Sequence, residues 1–303
     1  MSESQPALQS RDILANQCII LAHAKGILLN GTFTPTPEAA KLSAAPHFNN
    51  PSTPVIVRFS NATAFPNIPD TDPNTESRGM AIRFTLGDHV HTDIVNQSSP
   101  LFPVKTGEEL LELLKAVAAS PPDAPSPKPI EKFLGAHPAA LKQVTSPKPI
   151  PTSFAREAFW GVTAYKFVAA DGTETFIRYR FVPEAGVESL DAEATKDKDP
   201  DFLQKELAGR LKEGPVVFRM VAQIAEKEDV TDDATDIWPE SRQLVELGVV
   251  KLDTITPDNA KEQQRLIFDP IPRVKGIEPS NDPLLEVRAA VYLLSGRERR
   301  AAS

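Results

Sequence analysis

The stretch GVTAYKFVAADGTETFIRYRFVP, residues 161–183, decides the fold class. Its halves, GVTAYKFVAA (161–170) and TETFIRYRFVP (173–183), are rich in β-branched and aromatic residues, and Asp171-Gly172 lies between them. An Asp-Gly pair between two strand patterns is a strong hairpin signal, because glycine accepts the positive φ that a tight turn needs. Similar runs lie on either side: CIILAHAKGILL (18–29), PVIVRFSNA (54–62), GMAIRFTLG (79–87), HVHTDIVN (89–96), PVVFRMVAQIAE (215–226) and LVELGVVKLDTI (244–255). Pro, Asn, Asp or Gly separates them. Eight strand-like segments with short turns predict an antiparallel barrel or sandwich. Helices are fewer. Thr106-Gly-Glu-Glu109 reads as a capping box opening ELLELLKAVAA, DFLQKELAGRLKE (201–213) is amphipathic, and Asp282-Pro283 starts a last helix through LLEVRAAVYLLSGRERR. The class is therefore α+β.

One domain over residues 1–303 is expected, with a Pro-rich crossing at 120–152 inside it. That crossing holds nine of the 29 prolines and repeats Ser-Pro-Lys-Pro-Ile at 126–130 and 146–150, around a short helical piece. Prolines make up about 10% of the chain against a typical ~5%, which favours turns over long helices. Lys plus Arg is 33 and Asp plus Glu 41, a net charge of −8. This acidity argues against nucleic acid as a partner. No apolar run approaches the roughly 20 residues of a spanning helix, so no membrane partner is expected. The polar start MSESQPALQSRDILANQ has no apolar h-region, and the single cysteine, Cys18, suits a reducing compartment. A cytoplasmic location is the expectation.

Several residues could carry chemistry. Arg288 and Tyr292 are four apart on the last helix and share a face, and Arg299 returns to that face seven residues on. Cations beside a phenol favour the phenolate, and tyrosinate is one of the few axial haem ligands that proteins use. The competing reading is a packed tyrosine beside two solvated arginines. In VIVRFS, period-two alternation puts Ile56, Arg58 and Ser60 on one face, a candidate polar wall or the wet side of a half-exposed strand. His23 follows the apolar run CIILA; a proton shuttle and a satisfied core histidine are both open. His89, His91 and Asp93 share a strand face and match the donor types of a non-haem iron triad. Successive same-face side chains stand about 7 Å apart, which opposes that reading. There is no GxGxxG, P-loop, CxxC, GxSxG or HExxH.

Taken in order, these pieces resemble the catalase superfamily. HAKG (23–26), VRFS (57–60), ESRGMAIRF (76–84), DIVNQSSPLF (93–102), FWGVTAYKFVAADGTETFIRYRFVP (159–183), DATDIWPESRQLVELGVVKL (233–252) and QRLIFDPIPRVKGIEPSNDPLLEVRAAVY (264–292) look like successive catalase segments. The chain is shorter than an ordinary catalase and looks like the small catalase-related peroxidases. The resemblance implies an eight-stranded antiparallel β-barrel with surrounding helices and haem b enclosed in the barrel. It implies His23 as the distal histidine, Ser60 as the residue that orients it, and Gln97 or Asn96 as the distal amide. It implies Arg58 and Arg299 as propionate-binding arginines, Phe102 as the distal phenylalanine, Arg288 as the proximal arginine and Tyr292 as the iron ligand. Ile20 stands where catalases carry an arginine, which removes one propionate contact.

The implied activity is a haem peroxidase reducing hydrogen peroxide or organic hydroperoxides at the expense of an unidentified electron donor, with weak catalase activity. A homodimer is expected, since the wrapping arms of tetrameric catalases have no counterpart. One alternative is a fatty-acid hydroperoxide isomerase or dehydratase on the same fold. Ala22, where that class has a hydrogen-bonding residue, opposes it. The others are a non-catalytic haem protein and the non-haem iron enzyme.

Overall fold

The computed structural model describes residues 23–63 and 65–301, apart from the side chains of Glu298, Arg299 and Ala301. In chain order the strands are β1 (Gly26–Pro35), β2 (Thr53–Ser60), β3 (Gly79–Gly87), β4 (Val90–Gln97), β5 (Ile150–Pro151), β6 (Phe159–Trp160), β7 (Tyr165–Val168), β8 (Glu174–Pro183), β9 (Ser189–Leu190), β10 (Val216–Ile224), β11 (Leu244–Ile255) and β12 (Ile277–Pro279). The helices are α1 (Pro37–Leu42), α2 (Pro46–Asn49), α3 (Gly107–Ala118), α4 (Pro129–Ala136), α5 (Pro138–Thr145), α6 (Phe202–Glu213), α7 (Asn259–Arg265) and α8 (Pro283–Ala301).

Eight strands close a ring of antiparallel pairs in the order β1-β2-β3-β4-β6-β8-β10-β11 and back to β1. The ring closes most narrowly between β4 and β6, which meet at the single pair Gln97–Trp160. The Asp-Gly hairpin forms as expected: Gly172 has φ 88°, and Asp171 Oδ1 accepts from Thr173 N at 2.9 Å. Its first arm, however, is not the ring member. The edge of β8 away from β10 is divided, with Glu174–Ile177 paired to β7 and Arg180–Phe181 paired to the two-residue β6. β7 carries β12 outside the ring.

The first strand also departs from expectation. It runs from Gly26 to Pro35, beyond the apolar run at 18–29, whose residues 18–22 lie outside the described ones. Asn30-Gly31 has turn composition but forms a bulge inside the strand, where the register against β11 shifts. A Cβ on Gly31 would meet Lys251 O at 2.0 Å, so only glycine fits.

Side chains of one parity fill the lumen. Phe59 packs against Phe154 at 5.3 Å and Phe218 at 5.9 Å between ring centroids, and Phe33 meets Phe84 edge-on at 5.2 Å. Ile27, Val57, Met80, Ile94, Phe181 and Val250 are also buried there. This packed lumen has consequences for the expected haem position. Alternation sends the neighbours of these residues, Gly26, Arg58, Ser60, Ala81, Val95 and Gln97, to the outer face of β1–β4. There they line a cavity roofed by helices. The cavity thus lies between the barrel's outer wall and its helices, beside the filled lumen.

The helices have the expected caps. Thr106 Oγ1 accepts from Glu109 N at 3.2 Å, while the Glu109 carboxylate reaches Lys105 N rather than the cap nitrogen. Asp282 Oδ1 accepts from Leu284 N at 2.9 Å. The Pro-rich crossing folds into α4 and α5, whose Phe133 and Ala140 pack with Val104 against Leu110 and Leu113 of α3. Among the described residues, no helix is long and apolar enough to cross a membrane.

Candidate active site

β2, β3 and β4 lie side by side, and their register sets Ser60, Gly79 and Gln97 in one row across the outer face. His23 sits on this row. Its Nδ1 is 3.0 Å from Ser60 Oγ, leaving Nε2 as the other ring nitrogen. A Cβ on Gly79 would meet His23 Nδ1 and Cε1 at 2.9 Å and Ser60 Oγ at 2.8 Å, so the imidazole rests where only a glycine leaves room. The backbone of His23 is left-handed, with φ 62°. Such a conformation costs of order 1–3 kcal/mol and persists only where neighbours over-determine it. Here His23 N donates to Ala62 O, and Arg58 Nη2 donates to His23 O at 2.8 Å. Burial first, and then the positive charges of Arg58 and Arg288, lower the imidazole pKa from 6.5 to about 4. His23 is therefore neutral, and a base, at pH 7.

Arg58 is fixed from a second side. Its Nε donates to Gln263 Oε1 at 2.9 Å, and Gln263 Nε2 donates to Gly26 O at 3.0 Å and to Asn259 Oδ1 at 2.7 Å. α7 thus anchors both the arginine and the start of β1. The sequence reading missed Gln263 and Gly79. A glycine inside a strand pattern does signal close approach; a surface-helix glutamine gives no such signal.

Val287, Arg288, Val291, Tyr292 and Ser295 form the face of α8 toward the cavity. Arg288 Nε donates to Tyr292 Oη at 3.2 Å, and its guanidinium carbon lies 5.7 Å from the tyrosine ring centre. Burial opposes the charge on Arg288, but Tyr292 and Tyr165 outweigh it and hold the guanidinium above its usual pKa. Phe102 lines the same cavity. Arg299 falls within α8, but its side chain lies outside the described residues, as do Ile20, Ala22 and Cys18.

The two amides differ. Gln97 shares the outer row with Ser60 and Gly79; Asn96 is buried, and its Nδ2 donates to Met80 O at 3.1 Å. Strand parity puts Gln97 on the face beside His23, while Asn96, on the other face, also borders the cavity.

The iron triad does not assemble. Asp93 is held by Arg83 through two hydrogen bonds of 2.8 and 2.6 Å and also accepts from Asp269 N at 2.8 Å. His89 lies in an exposed turn with φ 57°. Among the described residues, no cluster of His, Cys, Asp and Glu could hold a metal. Arg83 and Asp93 instead pin the segment before β12 to the barrel wall, with Phe268 under the guanidinium.

The cavity encloses about 950 Å³. That is the upper part of the range for small-molecule and cofactor sites. Its walls are largely apolar, with Val95, Phe102, Val162, Leu266 and Phe268 among them. Its polar lining includes His23, Ser60, Arg58 and the Arg288–Tyr292 pair, with the side-chain amides of Asn96, Gln97 and Gln263. A family model described as Catalase matches residues 20–303. The chain belongs to the catalase family. It is 42% identical, over 91% of its length and 88% of the other's, to a catalase-related peroxidase of Mycolicibacterium paratuberculosis. It is 31% identical, over 91% of its length and 82% of the other's, to a catalase-related peroxidase of Synechococcus elongatus. Crystallised catalases share the fold. A fungal catalase superposes with a TM-score of 0.80 at 22% identity, covering 92% of this chain and 58% of that one. Catalase A of Saccharomyces cerevisiae gives 0.80 at 21%, covering 92% and 60%. This catalase-family chain, which thus spans about three-fifths of those solved catalases, is an enzyme of the peroxidase–catalase class.

Proposed function

We propose that the cavity holds haem b and that the enzyme is a peroxidase reducing hydrogen peroxide and organic hydroperoxides with a small organic reductant, with weak catalase activity. One observation carries the reading: a His–Ser pair and an Arg–Tyr pair face a single apolar cavity of about 950 Å³. The donor set fits a flat apolar ring with a hard metal and anionic edge groups. Tyr292 would hold the iron through its phenol oxygen, Arg288 would stabilise that oxygen by donation from Nε, and Arg58 would offer a cation to a propionate. Phe102 and the valines give the ring apolar contact. Bound haem would supply the metal that coordinates peroxide and the redox equivalents for its reduction.

The chain's own groups handle the proton. His23 is neutral at pH 7 because its pKa is about 4. It takes the proton from one peroxide oxygen and delivers it to the other, which leaves as water from hydrogen peroxide or as an alcohol from an organic hydroperoxide; this is general acid–base catalysis. Ser60 fixes the ring through Nδ1 and frees Nε2 for the transfer. Gly79 lets the ring sit flush against the wall.

The test is His23→Ala in the haem-loaded protein. Haem stays bound, and peroxide turnover falls by about 10²–10⁴-fold, the usual contribution of such a group. Turnover equal to wild type with haem bound would remove His23 from the reaction.

A further inference from the structure

Gln97 is the amide on the outer row, but both of its N–H donors are in use. Nε2 donates to Ser99 O at 3.0 Å and to Leu101 O at 2.6 Å. An amide nitrogen has two hydrogens, and its oxygen can only accept. The bonds close the loop that leaves β4. Other contacts fix the same loop: Ser98 N donates to Arg78 O at 2.8 Å, Leu101 N to Ser99 Oγ at 3.1 Å, and Gln143 of α5 reaches Leu101 O at 3.5 Å. The next residue is Phe102, which packs against Val104 on one side and near Val162 and Leu284 on the other while lining the cavity. On the opposite strand face, Asn96 donates one Nδ2 hydrogen to Met80 O and also borders the cavity.

We propose that Gln97 is a positioning and specificity-determining residue: it clamps the 98–101 loop, sets Phe102 against the cavity, and withholds its N–H donors from the substrate beside His23. The inference rests on the haem-peroxidase reading and states which reductant that site favours. Hydrogen peroxide has two heavy atoms and no apolar surface, so hydrogen bonds alone orient it. With His23 as the hydrogen-bonding partner on the row and both Gln97 N–H donors turned into the loop, a second peroxide is poorly held as reductant. An organic donor gains orientation from the apolar wall that Phe102 completes. The clamp thereby shifts the enzyme from catalase toward peroxidase turnover.

Two variants test this. Gln97→Leu keeps the bulk and removes both donors. Hydrogen–deuterium exchange over residues 98–104 is expected to quicken by at least tenfold in both apo and haem-loaded protein. KM for a bulky phenolic donor is expected to rise at least fivefold, with a smaller change in kcat. Gln97→Asn shortens the side chain by one bond of about 1.5 Å, which takes the amide out of reach of the two carbonyls and frees its N–H groups. The ratio of catalase to peroxidase turnover is expected to rise at least tenfold. Exchange unmoved in Gln97→Leu, or a ratio that holds or falls in Gln97→Asn, overturns the proposal. The exchange readout on apo protein is independent of haem, so failure of the clamp and failure of the haem-peroxidase reading are separable.

Discussion

Lowering the pH on His23 probes the site's electrostatics. The imidazole pKa stands at about 4, displaced from 6.5 by burial and then by Arg58 and Arg288. At pH 7, three units above that value, only about one ring in a thousand is protonated. At pH 5 roughly a tenth is protonated, so the base persists where an ordinary histidine has lost it. The stability consequence has a definite sign. The folded pKa is depressed, so between 6.5 and about 4 the unfolded chain binds the proton that the folded chain refuses. Stability from this group is whole above 6.5 and declines as pH falls toward 4. The assay is the Cε1–H resonance in apo protein, assigned by its absence in His23→Gln, titrated from pH 3 to 8. With only five histidines in the chain the spectrum is tractable. A midpoint near 4 is expected, with an upward move in Arg58→Gln as one of the lowering charges disappears. A wild-type midpoint near 6.5, or a downward move in Arg58→Gln, refutes the electrostatic account.

Other consequences follow from the same contacts. Gly79→Ala puts a Cβ within 2.9 Å of the His23 ring and 2.8 Å of Ser60 Oγ; peroxide turnover should fall at least tenfold with an unchanged circular dichroism spectrum. His47 is buried among Phe33, Phe48 and Phe84, and burial lowers its pKa to about 3. Unfolding by urea should therefore become easier as pH drops below 6.5, by roughly 3 kcal/mol at pH 4.5 from this group, and His47→Leu should flatten that dependence. Lys25 is buried and pairs with Asp70 at 2.7 Å and Asp201 at 2.8 Å. Lys25→Met strands Asp70 without its cation and should cost about 3–5 kcal/mol in urea unfolding.

Much of this was legible in the residues, for reasons particular to each. The Asp-Gly turn and the alternation in VIVRFS depend on backbone geometry alone, so the hairpin and the shared face of Arg58 and Ser60 could be read directly. The same period-two rule put His89, His91 and Asp93 on one face, and the spacing of about 7 Å already opposed a metal triad there. Arg83 sits opposite Asp93 on the next strand, and a cross-strand partner is invisible until register is known. The bulge at Asn30-Gly31 was not legible, because a bulge and a turn ask for the same residues. The two-residue β6 carries no periodicity to detect. Which amide faces His23 likewise depended on register, since parity along β4 means nothing until Gln97 is set beside Gly79. The filled lumen could be found only when all eight strands met.

The direct test is to add hemin stepwise to purified apo protein and to Tyr292→Phe, and to record absorption from about 350 to 700 nm, where a porphyrin absorbs and amino-acid side chains do not. Wild type is expected to take up one equivalent with a sharp Soret band and the charge-transfer absorption of a tyrosinate-bound ferric haem, and Tyr292→Phe to lose that charge-transfer feature or the haem itself. A wild-type protein that stays colourless after hemin is removed, or a Tyr292→Phe spectrum identical to wild type, would contradict the account at its centre.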